Sequence, residues 1–263
     1  MWRTVLLAIC FIGYSGYALA QGAIDGYMKA KGETDFALTY SSESYDTYLF
    51  GEEEREIPTT FQSVNFFMAH GLSDSLNLVV ALPYMWTDET NRSLQDAIVA
   101  LKYRNTRKYF ERSALSLITS VGASFPASNY STEITQPIGA KAVTFQARFL
   151  AQYEWYTGFF VHLQTGYDLR VAPSLQNALP IIARVGYGSS KIYVDAWLDF
   201  YKTFDAGVDA QIGGAQGSSW LRAGGTIYYA VTPKFGAFVG GAHFFSGENI
   251  GLATRYNAGV VYK

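Results

Sequence analysis

The stretch Lys191-Ile192-Tyr193-Val194-Asp195-Ala196-Trp197-Leu198-Asp199-Phe200-Tyr201-Lys202-Thr203-Phe204 decides how the chain is read. Ile192, Val194, Ala196, Leu198 and Phe200 share one parity, and Tyr193, Asp195, Trp197, Asp199 and Tyr201 share the other. Successive side chains of a β-strand point to opposite faces, so this segment has one apolar face and one polar-aromatic face. A helix would set Asp195 and Asp199 among the apolar residues on the side of Trp197 and Leu198. Length then adds a second constraint. A globular strand usually runs about 5–6 residues, whereas a tilted strand that crosses a bilayer needs about 9–11.

The same alternation recurs to the end of the chain. Phe159, Val161, Leu163, Tyr167 and Leu169 oppose His162, Gln164, Asp168 and Arg170; Val143, Phe145, Phe149 and Tyr153 oppose Thr144, Gln146, Arg148 and Gln152. Leu115–Phe125, Leu76–Tyr84 and Leu252–Tyr262 follow suit, and weaker patterns cover Thr34–Asp46, Pro58–His70, Ser93–Arg104, Leu179–Tyr187, Ser219–Ala230 and Phe235–Phe245, the last ambiguous in its facing. Twelve strands result. Their connections alternate short (Gly71–Ser75, Trp155–Gly158, Gly188–Ser190, Val231–Lys234) and long (Thr47–Ile57, Thr87–Arg92, Pro126–Ile138, Val171–Ala178, Thr203–Ser218, Ser246–Gly251), with Asn105–Ser113 as an exception. Short turns on one rim and long loops on the other mark an outer-membrane barrel. A soluble exported sandwich or lipocalin-like barrel would turn the apolar faces inward. Twelve faces of Leu, Val and Phe would crowd such an interior, and placing them against lipid removes the conflict. The predicted fold is an all-β, transmembrane, antiparallel up-and-down barrel of about twelve strands.

Composition agrees. The 263 residues are 49% hydrophobic and 16% charged, with 18 Phe, 20 Tyr, 5 Trp and 25 Gly but only 7 Pro, which suits many strands joined by tight turns. Outside the first twenty residues the longest apolar run, Leu78–Trp86, spans nine positions and includes Pro83, too short for a membrane helix of about 20. A net charge of −2 without a basic cluster excludes nucleic acid as a partner.

Residues 1–20 read as a secretory signal, with Arg3 before the apolar stretch Val5–Ile12 and an Ala18-Leu19-Ala20 cleavage site before Gln21. Residues 21–263 are then the barrel domain. Cys10 is the only cysteine, so cleavage would leave a chain with neither a disulfide nor a thiolate.

Catalytic chemistry is not legible. His70, His162 and His243 show no metal-ligand spacing, and none has a serine two residues away as an outer-membrane phospholipase dyad requires. We expect no enzyme, catalytic residue, metal or cofactor. The run Glu52-Glu53-Glu54-Arg55-Glu56 reads as a solvated external loop. The polar faces are more informative. Lys102, Arg148, His162, Asp168, Arg184, Tyr193, Asp195, Trp197, Asp199, Tyr201, Arg222 and Arg255 are the expected lumen-lining residues. Such charges either pair across the lumen and plug it or line a wet pore.

Ser63-Val-Asn-Phe-Phe-Met-Ala-His-Gly-Leu-Ser-Asp-Ser-Leu-Asn-Leu-Val-Val-Ala-Leu-Pro-Tyr84 resembles the strand, Gly-Leu-(Ser/Thr)-Asp turn, strand and Leu-Pro-Tyr ending of the meta-pathway phenol-degradation family of outer-membrane, transporter-like barrel proteins. Tyr40-Ser41-Ser42-Glu43-Ser44-Tyr45-Asp46 is similar to that family's first hairpin. Specific motifs cover about a fifth of the chain. The resemblance implies a channel for small, aromatic or hydrophobic solutes in the outer membrane of a Gram-negative bacterium. Asn257, Gly259 and Tyr262 fit the usual terminal signal for the barrel-assembly machinery, although the chain ends on Lys263. Expected partners are therefore outer-membrane lipid, a small-molecule solute and that machinery. Two other readings compete: a plugged structural or adhesive barrel acting through external loops, and an outer-membrane hydrolase.

Overall fold

The structure, a computed structural model, describes residues 24–51, 53–87, 91–132, 137–204 and 217–263. The expected leader, residues 1–20, lies outside the described residues, as do Glu52 and 205–216. Alternating sequence becomes strand throughout: β1 Thr34–Phe50, β2 Glu53–Ser73, β3 Leu76–Trp86, β4 Arg92–Leu94, β5 Asp96–Tyr109, β6 Ser113–Pro126, β7 Val143–Trp155, β8 Phe159–Ala172, β9 Gln176–Gly188, β10 Ile192–Phe204, β11 Ser219–Ala230, β12 Phe235–Glu248, β13 Ile250–Gly251 and β14 Thr254–Tyr262. The short β4 leads into β5, and β13 leads into β14, so the barrel has twelve staves. Every pairing is antiparallel and joins staves consecutive in the chain, and the first stave, β1, closes the ring by pairing with β2 on one side and with β13 and β14 on the other. Closure removes every open edge, as a bilayer demands, because an unpaired N–H or C=O in hydrocarbon costs several kcal/mol.

The outer wall shows a membrane profile. Leu38, Leu101, Val121, Leu163, Leu198, Ile227 and Val239 are all exposed in the middle of their strands. Toward the short-turn rim the exposed outward residues become Tyr109, Trp155, Phe159, Tyr187, Tyr229 and Tyr262; toward the other rim they become Tyr40, Phe125, Phe145, Tyr167, Phe200 and Tyr256. An aliphatic band between two aromatic girdles matches hydrocarbon flanked by two headgroup layers. Phe235–Phe245, ambiguous in sequence, carries apolar residues on both faces: Phe235, Val239 and Phe245 are exposed while Phe238 and Phe244 are buried.

Several connections are shorter than the sequence suggests. The expected loop Thr47–Ile57 is largely strand: Glu53, Glu54, Arg55 and Glu56 pair with Phe50, Leu49, Tyr48 and Thr47. The acidic run beyond Glu52 is thus a strand edge standing above the membrane band, where water solvates its charges. The expected exception Asn105–Ser113 is also strand to Tyr109, with a bulge between Arg104 and Thr106. His70 sits within β2, where its Nδ1 is 2.7 Å from Thr34 Oγ1. On the long-loop rim, the segment after β6 folds back on the wall. Tyr130 donates to Asp96 Oδ1 at 2.6 Å and accepts from Lys141 N at 2.7 Å. Burial raises the Tyr130 phenol above its usual range, and the neighbouring Asp96 carboxylate adds to the shift.

Candidate solute path

Twelve inward faces meet inside the barrel, and they build three levels. The level nearest the short-turn rim is apolar. Ala37, Phe67, Val79, Ala100, Ile118, Leu150, Phe160, Tyr193, Tyr228, Phe238 and Val261 form one buried cluster around the wall. At its centre lie Ile24 and Tyr27, from the segment before β1. The Tyr27 ring meets Phe160 edge-on at 5.7 Å and Tyr193 at 6.3 Å, and Phe160 stacks on Tyr193. Burying a side chain such as Ile24 is worth about 1.5–3 kcal/mol.

Polar contacts fix the same segment. Lys102 Nζ is 2.7 Å from Asp25 Oδ1, and it also donates to the carbonyls of Asp25 and Tyr27. Asn77 accepts from Lys29 N at 2.7 Å and donates to Lys29 O at 3.0 Å. Lys29 Nζ reaches Asp35 Oδ2 at 2.6 Å. Burial alone would raise the Asp25 carboxyl, but the Lys102 charge and hydrogen bond outweigh it and hold Asp25 below the usual carboxylate range. Gly71 makes this approach possible, since a Cβ there would lie 2.0 Å from Ala30 O. The segment Ile24–Lys31 therefore fills the barrel at this level. Sequence reasoning passed over it because it is too short for a strand. The available signal was Asp25, Tyr27 and Lys29 alternating immediately before the first strand.

The middle level is polar. Arg148 Nη1 is 2.5 Å from Asp168, Arg184 Nε is 3.2 Å from Asp195, Arg222 Nη2 is 2.7 Å from Asp199, and Arg255 Nη2 is 2.5 Å from Glu43. Each pair joins adjacent staves: β7 to β8, β9 to β10, β10 to β11 and β1 to β14. The charges cancel along the wall instead of bolting one side of the lumen to the other. Gly166, directly opposite Arg148, lets the guanidinium stem lie flat, because a Cβ there would come within 2.9 Å of Arg148 Cδ. Tyr193 donates to Asp195 Oδ2 at 2.9 Å, and His162 Nδ1 is 3.3 Å from Gln152 Oε1. A cavity of about 380 Å³ opens here, bordered by Ser41, Asn65, Arg184, Trp197, Asp199, Arg222, Thr226, Arg255 and Asn257.

Above it, the third level is aromatic. Trp220 stacks on Tyr201 at 4.2 Å and 7°, and Tyr45, Tyr48, Phe50 and Phe244 pack beside it. The Arg222 guanidinium lies 5.5 Å from the Trp197 ring and 5.2 Å from the Phe244 ring. A second cavity of about 280 Å³ borders Asp168, Arg170, Tyr201, Thr203, Trp220 and Asn249. All twelve residues singled out from the sequence are protected from the exterior: Lys102, Arg148, His162, Asp168, Arg184, Tyr193, Asp195 and Asp199 are buried, and Trp197, Tyr201, Arg222 and Arg255 are partly so. The inward Phe67, Ile118, Leu150 and Phe160 were missed, because each interrupts the polar parity of its strand.

Among the described residues no group of three or more His, Cys, Asp or Glu is placed to hold a metal. His243 is exposed on the outer wall, with Nδ1 2.9 Å from Thr254 Oγ1.

No family model and no curated protein matches the chain. Among solved structures, it is similar to the COG4313 outer membrane channel from Pseudomonas putida F1, with a TM-score of 0.68 at 13% identity over 93% of this chain and 99% of that one. It is also similar to the NanC porin (TM-score 0.60, 10% identity, 87% and 99% covered) and to the KdgM porin (0.54, 10%, 86% and 98%). What the chain shares with all three is the fold, which in this protein is a closed antiparallel barrel of twelve staves.

Proposed function

We propose that this barrel sits in the outer membrane of a Gram-negative bacterium, short-turn rim toward the periplasm, and passes small solutes. The observation that carries this reading is the placement of the charge pairs. Arg148, Arg184, Arg222 and Arg255 each find a carboxylate on a neighbouring stave, leaving a polar cavity in the middle of the lumen. A purely structural barrel has no need to keep ionic groups there, since replacing a buried ion pair with apolar residues is often neutral or stabilising. Lys102, Arg148, His162, Asp168, Arg184, Tyr193, Asp195, Trp197, Asp199, Tyr201, Arg222 and Arg255 line the path.

The solute class we favour is small and aromatic or hydrophobic with a polar group. Trp197 and the Tyr201–Trp220 stack offer ring faces beside hydrogen-bonding groups, and the resemblance of Ser63–Tyr84 to the phenol-degradation family points the same way. Export through a cleaved signal and insertion by the barrel-assembly machinery complete the proposal. Uptake into liposomes tests it: phenol and benzoate should enter faster than a disaccharide, and equal exclusion of all three contradicts it. The filled apolar level favours a second reading, a closed barrel working through its outer loops.

A further inference from the structure

We propose that Ile24–Lys31 is a detachable stopper that opens and closes the channel at its apolar level by swinging about Gly32. This rests on the channel reading above.

Three observations converge on it. First, the segment fills the lumen without joining the sheet: none of its residues is in a strand. Its hold is by side chains and not by a ladder, through Lys102 on Asp25, Asn77 on Lys29, Lys29 on Asp35, Glu33 on Ala30 N, Asp74 on Lys31 N and the Tyr27 ring against Phe160 and Tyr193. A unit held by a few contacts opens at lower cost than the barrel around it.

Second, a hinge lies at its end. Gly32 has φ +83, a left-handed conformation that favours glycine, and nothing lies within 4 Å of the place a Cβ would occupy. Beyond Gly32 the chain is pinned to the wall, with Gly71 N donating to Glu33 O at 2.9 Å, and the swing gives up the bonds from Gly32 N to Gly71 O at 2.8 Å and from Glu33 N to Ala30 O at 3.0 Å. Motion is thereby confined to the residues before the pin.

Third, there is space to move into. A cavity of about 700 Å³ at the short-turn rim borders Met28, Lys29, Gly32, Asp35, Lys191 and Lys263. A segment turning about Gly32 enters this space and vacates the ring of Phe67, Ile118, Leu150, Phe160, Tyr193 and Phe238. The vacated ring is an apolar constriction that gates by wetting and admits apolar solutes. Withdrawal also takes Asp25 away from Lys102, so the open lumen gains one cation facing the path.

The test is a reversible lock. A Cβ on Gly26 would lie 2.9 Å from Gln152 Cβ, inside the separation of about 3.5–4.5 Å that a disulfide spans, so the bond forms once the segment eases back from β7 by a fraction of an ångström. The Gly26→Cys/Gln152→Cys variant, with Cys10→Ser, is purified, oxidised and checked for the cross-link by mass. Planar bilayers should then show openings from the wild-type protein, none from the oxidised variant, and their return on adding dithiothreitol. Lys102→Gln, which keeps a hydrogen-bonding group but removes the charge, should raise the open-to-closed ratio about ten- to a hundredfold. Unchanged conductance in the fully cross-linked protein overturns the stopper while leaving the channel standing. Silence from wild type, reduced variant and a protein lacking residues 24–31 overturns both.

Discussion

Asp199 on β10 and Arg222 on β11 face each other in register, with both Nε and Nη2 of the guanidinium 2.7 Å from Asp199 Oδ2 and the Trp197 ring 5.5 Å from the cation. This pair shows how the barrel keeps charge inside a membrane. Four such pairs run along the wall, so the middle of the lumen stays polar with little net charge. A double-mutant cycle with Asp199→Asn and Arg222→Gln should give a coupling energy of about 0.5–3 kcal/mol. Urea unfolding in lipid vesicles measures it, and strictly additive effects would show that the pair is not formed.

Leu198, the residue between Trp197 and Asp199, is exposed on the outer wall. Leu198→Arg should destabilise the barrel by about 2–4 kcal/mol if the position lies near the midplane. Asp199→Asn should cost less and change ion selectivity. A harmless Leu198→Arg beside an Asp199→Asn that blocks membrane insertion would mean the two faces are reversed.

Sidedness follows from the connections. Thr157 lies in the three-residue turn between β7 and β8, and Glu53 opens β2 on the opposite rim. A cysteine at Glu53 should react in whole cells with an impermeant maleimide, while one at Thr157 should react only after the outer membrane is permeabilised. Equal labelling of both in intact cells would contradict the orientation.

Gly71 gives a separate handle on the apolar level. Its missing Cβ is what admits Ala30 O, 2.0 Å from where that atom would be. Gly71→Ala should therefore unseat Ile24–Lys31 with the barrel intact. Trypsin cleavage after Lys29 or Lys31 in folded protein reports it, and should be several-fold faster than in wild type by the loss of local protection. Unchanged cleavage would show that the segment tolerates the clash without moving.

The architecture was legible because alternation and length each constrain it: β10 declares two faces, and its thirteen residues exceed a globular strand. The twelve candidate lumen residues were chosen by the same parity, and all of them are buried or partly buried. What parity hides is any inward residue that is itself apolar. Phe160 and Tyr193 belong to the inner face, yet they read as interruptions or as an aromatic stripe, and only their packing on Tyr27 gives them a role. Loop lengths were overestimated where polar residues extend a strand above the bilayer, as Glu53–Glu56 do, because polarity was taken as the end of pairing.

Planar-bilayer recording of the purified protein bears most directly on the central claim, that a polar path crosses this barrel. The account predicts discrete conductance steps, with an anion-to-cation permeability ratio that falls when Lys102 is replaced by Gln. A bilayer that stays silent with the full chain and with residues 24–31 removed, although the inserted barrel is folded, would contradict it.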